Sequence, residues 1–125
     1  MASKEIIGVS VAVNKNSSNE LVVVLVTAPG KECAGKLAST LLEKRLAACV
    51  NITPNIISMY HWKGKIEHDI ETLLIIKTIS SRFSELKETI VSHHPYDTPE
   101  VIMLESGAVF EKYLSWVVKE TETTE

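Results

Sequence analysis

The sequence contains 125 residues, a length that fits one domain of ordinary size and leaves little room for a second hydrophobic core. Hydrophobic residues make up 45 % and charged residues 23 %, which is typical of a soluble globular protein, and no apolar run reaches the roughly 18 residues of a membrane span. The formal net charge is -3 and the basic residues are dispersed along the chain, so we expect no nucleic-acid partner.

Residues 1–20 are predicted to be a variable N-terminal tail or an extra strand. The apolar stretch at residues 6–13 is barely long enough for the hydrophobic region of a signal peptide. It lacks an A-x-A cleavage signal, and the polar run at residues 14–20 follows it directly. We therefore do not interpret this segment as a signal peptide.

The first half of the domain is predicted to form a strand, a helix and a second strand. Residues 21–26 are a continuous apolar run rich in valine, which indicates a strand buried on both faces. Pro29 and Gly30 end that strand, and apolar residues then repeat at helical spacing over residues 33–45. A second apolar run at residues 46–52 completes a crossover unit.

A long hairpin is predicted next. Residues 56–62 and 66–78 are two extended segments joined by a turn centred on Gly64. Counted back through Pro54, each arm has about 14 residues, more than the usual 3 to 10, so the hairpin should project beyond the domain. Pro54 predicts an edge position or a bulge, because proline cannot donate to a β-ladder.

The last third predicts a helix, a short strand and a C-terminal helix. Ser80 and Ser81 are predicted N-caps of a helix that must end before Pro95. Residues 101–104 form the final core strand, and the helix that follows frays into a polar tail at residues 120–125. The order β-α-β-β-α-β plus one helix predicts an α+β fold of the split βαβ, ferredoxin-like type.

The two cysteines, Cys33 and Cys49, lie far apart and form no CxxC pair. This spacing favours neither a disulfide framework nor a structural zinc site. We interpret both as small buried residues, which fits a reducing compartment such as the cytoplasm.

Several strings keep the order and spacing of one known family: VTAP at 26–29, EKRLAACVN at 43–51, SMYHWKGK at 58–65, LIIKT at 74–78, SHHPYDTPE at 92–100 and YLSW at 113–116. In these strings the chain resembles the CutA family of divalent-cation tolerance proteins. The resemblance covers residues 21–118, and we predict a CutA-like domain at residues 21–119.

This resemblance implies a cytoplasmic homotrimer whose protomers pair strands across their interfaces, with a role in the response to copper and other divalent metal ions. It brings no catalytic reaction, and the chain shows no nucleophile elbow, HExxH, Walker or Rossmann motif. The family's proposed copper site maps onto Val26, His93 and Glu100. Valine replaces the cysteine of that site, so we expect weak binding of Cu(II) or another divalent cation that folding does not require.

Two interpretations of the histidines are open. His93 and His94 lie where the second helix must end, so they could simply interact with its free carbonyls and negative dipole. With Asp97 and Glu100 within one turn, they could instead form an exposed metal site. We take His93, Glu100 and His94 as the candidate metal ligands.

Candidate ligand or interface residues lie elsewhere: Tyr60, Trp62, Lys77, Tyr96 and Trp116. Aromatic residues near the hairpin tip could stack on a ligand, although packing against a neighbouring subunit is the commoner role. The alternating acidic residues Glu67, Asp69 and Glu71 are interpreted as a solvated edge. Arg45 and Lys77 could hold an anion between protomers, as in the similarly folded PII proteins, which gives an alternative function as a trimeric scaffold or signalling module that binds a small anion or a partner protein.

Overall fold

The computed structural model describes residues 19–123, so most of the predicted N-terminal tail lies outside the described residues. The elements in chain order are β1 (Leu21–Ala28), α1 (Lys31–Glu43), β2 (Cys49–Trp62), β3 (Lys65–Ile79), α2 (Phe83–His93), β4 (Val101–Glu105) and α3 (Glu111–Glu120). The strands form one antiparallel sheet in the order β2-β3-β1-β4. This arrangement confirms the predicted α+β, ferredoxin-like fold with an additional C-terminal helix.

The main core lies between the sheet and the first two helices. Alternate residues of β1 are fully buried, and they share one hydrophobic cluster with residues of β3, α1 and α2: Val22, Val24, Val26, Leu74, Ile76, Leu37, Leu41, Leu86 and Ile90. The other face of the sheet carries a smaller cluster around Leu21, Ile79 and Val117, to which α3 contributes. No helix within residues 19–123 has both the length and the apolar character required to span a membrane.

The second strand begins at Cys49, three residues later than predicted, because residues 44–46 close the end of α1. Arg45 adopts a left-handed conformation with φ 57°. The backbone N–H of Arg45 donates to Leu42 O at 3.1 Å, and that of Leu46 donates to Leu41 O at 2.9 Å. These two hydrogen bonds form a Schellman motif, in which the apolar Leu46 packs into the core instead of starting a strand.

The predicted capping role of Ser80 and Ser81 is wrong. Both residues belong to a 3-10 turn, Ser80–Arg82, that joins β3 to α2, and neither gives a side-chain capping hydrogen bond. The backbone N–H of Ser80 instead donates to Glu20 O at 2.9 Å, which ties this turn to the start of β1. The Ser80 hydroxyl is buried without a hydrogen-bond partner among the described residues.

The hairpin matches its prediction. Its arms have 14 and 15 residues, and β2 lies at the edge of the sheet. The register shifts between Thr53 and Ile56, so that Pro54 and Asn55 form a bulge in which Asn55 has φ 64°. A two-residue turn follows, with φ 50° at Lys63 and 79° at Gly64, the left-handed pair that a type I′ turn needs.

Two smaller features differ from or extend the sequence-based expectations. Cys33 and Cys49 are only half-buried rather than buried, and burial raises the pKa of the Cys33 thiol despite the opposing effect of Lys36. At the C-terminus, α3 extends through Glu120, and Thr121 is buried with its hydroxyl donating to Val117 O at 2.8 Å. The first two residues of the predicted polar tail therefore take part in the packed domain.

Candidate functional site

Three segments of the chain meet at the C-terminal end of β1. Val26 is in register with Val101, the first residue of β4. The next residue of β1, Thr27, uses its carbonyl oxygen to contact the imidazole of His94, which directly follows α2. The end of α2, the end of β1 and the start of β4 are therefore held together.

His94 is the buried residue that joins these segments. Its side chain is 8 % exposed, and Nε2 lies 2.8 Å from Thr27 O, which can only accept a hydrogen bond. Nε2 therefore carries the proton, and Nδ1 accepts a hydrogen bond from the backbone N–H of Tyr96 at 3.1 Å. Both ring nitrogens are engaged in this neutral tautomer, so His94 would have to give up one hydrogen bond before it could bind a metal.

His93 has a different environment, because it is exposed on the last turn of α2. Its Nδ1 lies 2.8 Å from Thr89 O and 3.1 Å from the Ser92 hydroxyl. Since the carbonyl oxygen can only accept, the proton of the neutral ring lies on Nδ1 and the lone pair lies on Nε2. His93 can therefore offer Nε2 to a ligand without losing its contact to the helix.

The other two positions of the mapped copper site differ in accessibility. Glu100 is exposed and immediately precedes β4, whereas Val26 is fully buried in the core and has no donor atom. Within residues 19–123, no three His, Cys, Asp or Glu side chains come together as a metal-binding group. One chain thus contributes one imidazole and one carboxylate at accessible positions near this junction.

Two tyrosines on or beside the hairpin are hydrogen-bonded to carboxylates. The Tyr96 hydroxyl donates to Glu71 Oε2 at 2.7 Å, and the Tyr96 ring lies 4.7 Å from the His94 ring. The Tyr60 hydroxyl donates to Asp69. The interpretation of the acidic row as a solvated edge is therefore wrong for Glu71, which is 8 % exposed.

Both tyrosines lose their protons less readily than usual. The hydrogen bond to Asp69 raises the pKa of Tyr60 to about 12. Burial is the main cause that raises the pKa of Tyr96, and the hydrogen bond to Glu71 adds to it. At neutral pH both phenols are donors to carboxylates. The Tyr96 pair ties the loop after α2 to β3, and the Tyr60 pair joins β2 to β3.

The remaining candidate residues lie apart from this junction. Trp62 is 57 % exposed at the hairpin tip, with Lys63 Nζ 5.8 Å from the centre of its ring. Trp116 is half-exposed on α3 beside Tyr113, at 5.7 Å between ring centres.

Arg45 and Lys77, which were considered for an anion, already have acceptors. Arg45 forms an ion pair with Glu120 at 3.0 Å, and the Lys77 ammonium donates to the Asn51 side chain. These contacts satisfy both cations at least in part within the chain, so they do not favour the anion-binding interpretation.

Sequence reasoning missed the acceptors that organise the junction. The carbonyl oxygens of Thr27 and Thr89 could not be identified as acceptors from the sequence, because every residue carries a backbone carbonyl. The pairing of Tyr96 with Glu71 joins positions 25 residues apart.

Taken together, the fold and the site define a ferredoxin-like α+β protein with a long projecting hairpin and an exposed imidazole and carboxylate near the end of its first strand. The family model of the CutA1 divalent ion tolerance protein matches residues 22–120. The chain belongs to this family.

The relatives agree in sequence and in structure. The divalent-cation tolerance protein CutA of Thermus thermophilus is 43 % identical over 99 residues, which are 79 % of this chain and 96 % of that protein. The chloroplastic protein CutA of Arabidopsis thaliana is 47 % identical over 100 residues, which are 80 % of this chain. The matched region spans only 55 % of the plant protein's length. The crystal structure of CutA1 from Oryza sativa is 44 % identical with a TM-score of 0.82, covering 86 % of this chain and 99 % of that one.

Proposed function

We propose that this protein is a cytoplasmic, non-enzymatic homotrimer that takes part in the response to divalent metal ions by binding Cu(II) weakly through His93 and Glu100. The observation that carries the proposal is the exposed Nε2 lone pair of His93 on a junction that also holds the start of β4. The divalent-cation tolerance named for its relatives supports the metal as the ligand.

The donor set fits a borderline divalent metal. Imidazole and carboxylate suit Cu(II), Zn(II) and Ni(II), and among these the Irving–Williams order favours Cu(II). The sulfur donor of the family site is replaced by Val26, so selection for Cu(I) at this junction is lost. With two protein ligands and water completing the coordination, we expect micromolar affinity or weaker, and protons should compete with the metal for the imidazole lone pair.

The direct test is isothermal titration of Cu(II) into the native protein and into His93→Ala and Glu100→Gln. Each variant should lose the Cu(II) binding that the native protein shows. The matched control is Glu105→Gln, which removes a carboxylate from an exposed position at the opposite end of β4 and should bind as the native protein does. Unchanged affinity in His93→Ala would exclude that residue from the site.

A gain of function tests the mapping onto Val26. Val26→Cys should introduce a thiolate at the strand end and tighten Cu(I) binding, since soft sulfur ligands select Cu(I). Val26→Ala is the control, because it also shortens this fully buried side chain but adds no sulfur. Equal competition by both variants against a Cu(I) chelator would contradict the mapping.

The proposed homotrimer would be closed through the hairpin. Trp62 and Tyr60 are 57 % and 40 % exposed, and they share one face of β2, which pairs with β3 on one side and with no strand of residues 19–123 on the other. Natural proteins cover or close such edges, and a ring of head-to-tail contacts is one solution. Trp62→Ala should lower the melting temperature and make it depend on protein concentration. Val91→Ala, which shortens an exposed side chain on α2, should do neither. A melting temperature of Trp62→Ala equal to that of the native protein would count against this interface.

A further inference from the structure

The outer half of the hairpin, residues 56–62 and 65–71, has a second face that the proposed function does not use. Side chains alternate between the faces of a strand, so Met59 and His61 share a face with Ile57. The register places Met59 directly opposite His68 and His61 opposite Ile66. One thioether and two imidazoles therefore lie on the same face of the hairpin. They belong to two neighbouring cross-strand pairs of that face, and Ile57 with Ile70 forms the next pair.

The spacing lets these three side chains reach one ion. Directly opposite residues have Cβ atoms about 4.5–5.5 Å apart, and diagonal neighbours are about 7–8 Å apart, still within reach of long side chains. Met59 and His61 are two positions apart on one strand, which is a separation of about 7 Å. All three side chains are exposed, with Met59 at 63 %, so no packing holds them away from one another.

The surroundings select a soft ion. The other members of this face are Ile57, Ile66 and Ile70, which are 69 %, 62 % and 60 % exposed. The nearby carboxylates Glu67 and Asp69 alternate onto the opposite face, where Asp69 already accepts a hydrogen bond from Tyr60. The face therefore offers sulfur and imidazole nitrogen without an oxygen ligand from a carboxylate.

We propose that Met59, His61 and His68 form a second metal site that binds Cu(I). A thioether ligand selects Cu(I) among the biological first-row ions, imidazole suits copper, and hard ions such as Mg²⁺ and Ca²⁺ require the oxygen ligands that this face lacks. The site is independent of His93 and Glu100. Trp62 and Tyr60 lie on the opposite face, so an interface anchored by Trp62 does not need the Met59 face.

The test is an anaerobic titration in which the full chain competes with a chromophoric Cu(I) chelator. The native protein should take one equivalent of Cu(I) per chain. Met59→Leu, His61→Asn and His68→Asn should each weaken Cu(I) binding by about tenfold or more, as expected when a metal ligand or its support is lost. The matched control is Met103→Leu on β4, which removes a thioether elsewhere in the chain and should bind as the native protein does. His93→Ala is titrated in parallel to separate this site from the junction of α2 and β4.

A second measurement does not depend on the stability of the variants. Copper X-ray absorption of the loaded native protein should show a sulfur neighbour together with nitrogen neighbours, and the sulfur should be absent in Met59→Leu. Native-like competition by His68→Asn, or a copper spectrum without sulfur, would overturn the proposal. Loss of Cu(I) binding in His93→Ala with retention in His68→Asn would assign the ion to the junction of α2 and β4 and would overturn this second site alone.

Discussion

The base of the sheet and the outer half of the hairpin belong to the same two strands but differ in what holds them. At the base, β3 pairs with β1 over residues 72–79 and with β2, and Leu74 and Ile76 are completely buried. From Glu71 towards the hairpin turn, β3 pairs only with β2 among the residues that the structure describes, and Ile66 and Ile70 on that segment are 62 % and 60 % exposed. The strand β3 therefore changes from a buried core strand to an exposed strand near Thr72.

This difference separates stability from function along the chain. The base is held by burial of apolar side chains, which contributes about 25 cal/mol per Å² of area removed from water. An isolated two-stranded hairpin is at best marginally stable in water, so the outer half depends on its connection to the base, and the proposed interface would add to its order. Residues there are free to serve an interface on one face and a metal on the other.

The largest expected effect is at the base. Leu74→Ala should lower the free energy of unfolding by about 2–5 kcal/mol, because it opens a cavity in a fully packed core. Ile70→Ala on the same strand is the matched change beyond the bulge, and it should cost less than about 1 kcal/mol, since it loses mainly the cross-strand pair with Ile57. Urea unfolding at one chain concentration measures both. Equal losses would show that the Met59 face is covered and that the outer half of the hairpin is as tightly packed as the base.

A buried hydrogen bond at the base gives the next effect. The Thr78 hydroxyl, in a fully buried residue, donates to Leu46 O at 2.7 Å. Thr78→Val keeps the shape but removes this donor, and we expect a loss of about 1–3 kcal/mol in urea unfolding. The exposed Thr53 supplies the control, since Thr53→Val should change the free energy by less than about 0.5 kcal/mol. A neutral Thr78→Val would mean that this bond does not fix the turn after α1.

The left-handed residue in that turn should give a smaller effect. Arg45 has φ 57°, a conformation that costs a residue with a side chain about 1 kcal/mol relative to glycine. Arg45→Gly and Arg45→Ala both lose the ion pair with Glu120, so the difference between them isolates the backbone term. Arg45→Gly should be the more stable of the two by about 1 kcal/mol in urea unfolding. The opposite order would contradict the assigned Schellman motif.

The smallest effect concerns the hairpin and is a matter of pH. Tyr60 has its pKa raised from 10.0 to about 12 by Asp69, so the folded state holds this proton more tightly than the unfolded state. The resulting stabilisation is complete below pH 10.0 and is lost as the pH rises towards about 12. Tyr96 and Tyr113 also have raised pKa values, so the signal of Tyr60 is the difference between the ultraviolet titrations of the native protein and of Tyr60→Phe. This difference should correspond to one late tyrosine, which titrates earlier in Asp69→Asn. A native titration identical to that of Asp69→Asn would rule out the pair.

Much of the fold could be predicted from sequence patterns. Valine-rich runs and helical spacing gave the strands and helices in their order, and Pro54 gave the bulge at the sheet edge. The pattern failed where an apolar residue belongs to a turn: Leu46 is as buried as a strand residue, but its position depends on a left-handed Arg45, which residue type does not reveal. Ser80 failed for a similar reason, since its backbone is tied to Glu20 by a tertiary contact.

The candidate site could be predicted only in part. The selection of His93 and Glu100 came from resemblance to a family, and it stays a prediction that the titrations above will test. Which of the two adjacent histidines has an available lone pair required knowledge of the carbonyl acceptors at Thr27 and Thr89. The grouping of Met59, His61 and His68 required the register after the bulge, because a shift of one residue would place them on different faces.

If other copies of the chain complete the outer half of the hairpin, as proposed above, sedimentation equilibrium of the native protein will detect them. We expect a single species of three times 13.8 kDa at micromolar concentration. Adding a chelator should not change this mass, because the proposed interface residues Tyr60 and Trp62 are not among the proposed metal ligands. A monodisperse species of 13.8 kDa under the same conditions would contradict the claim.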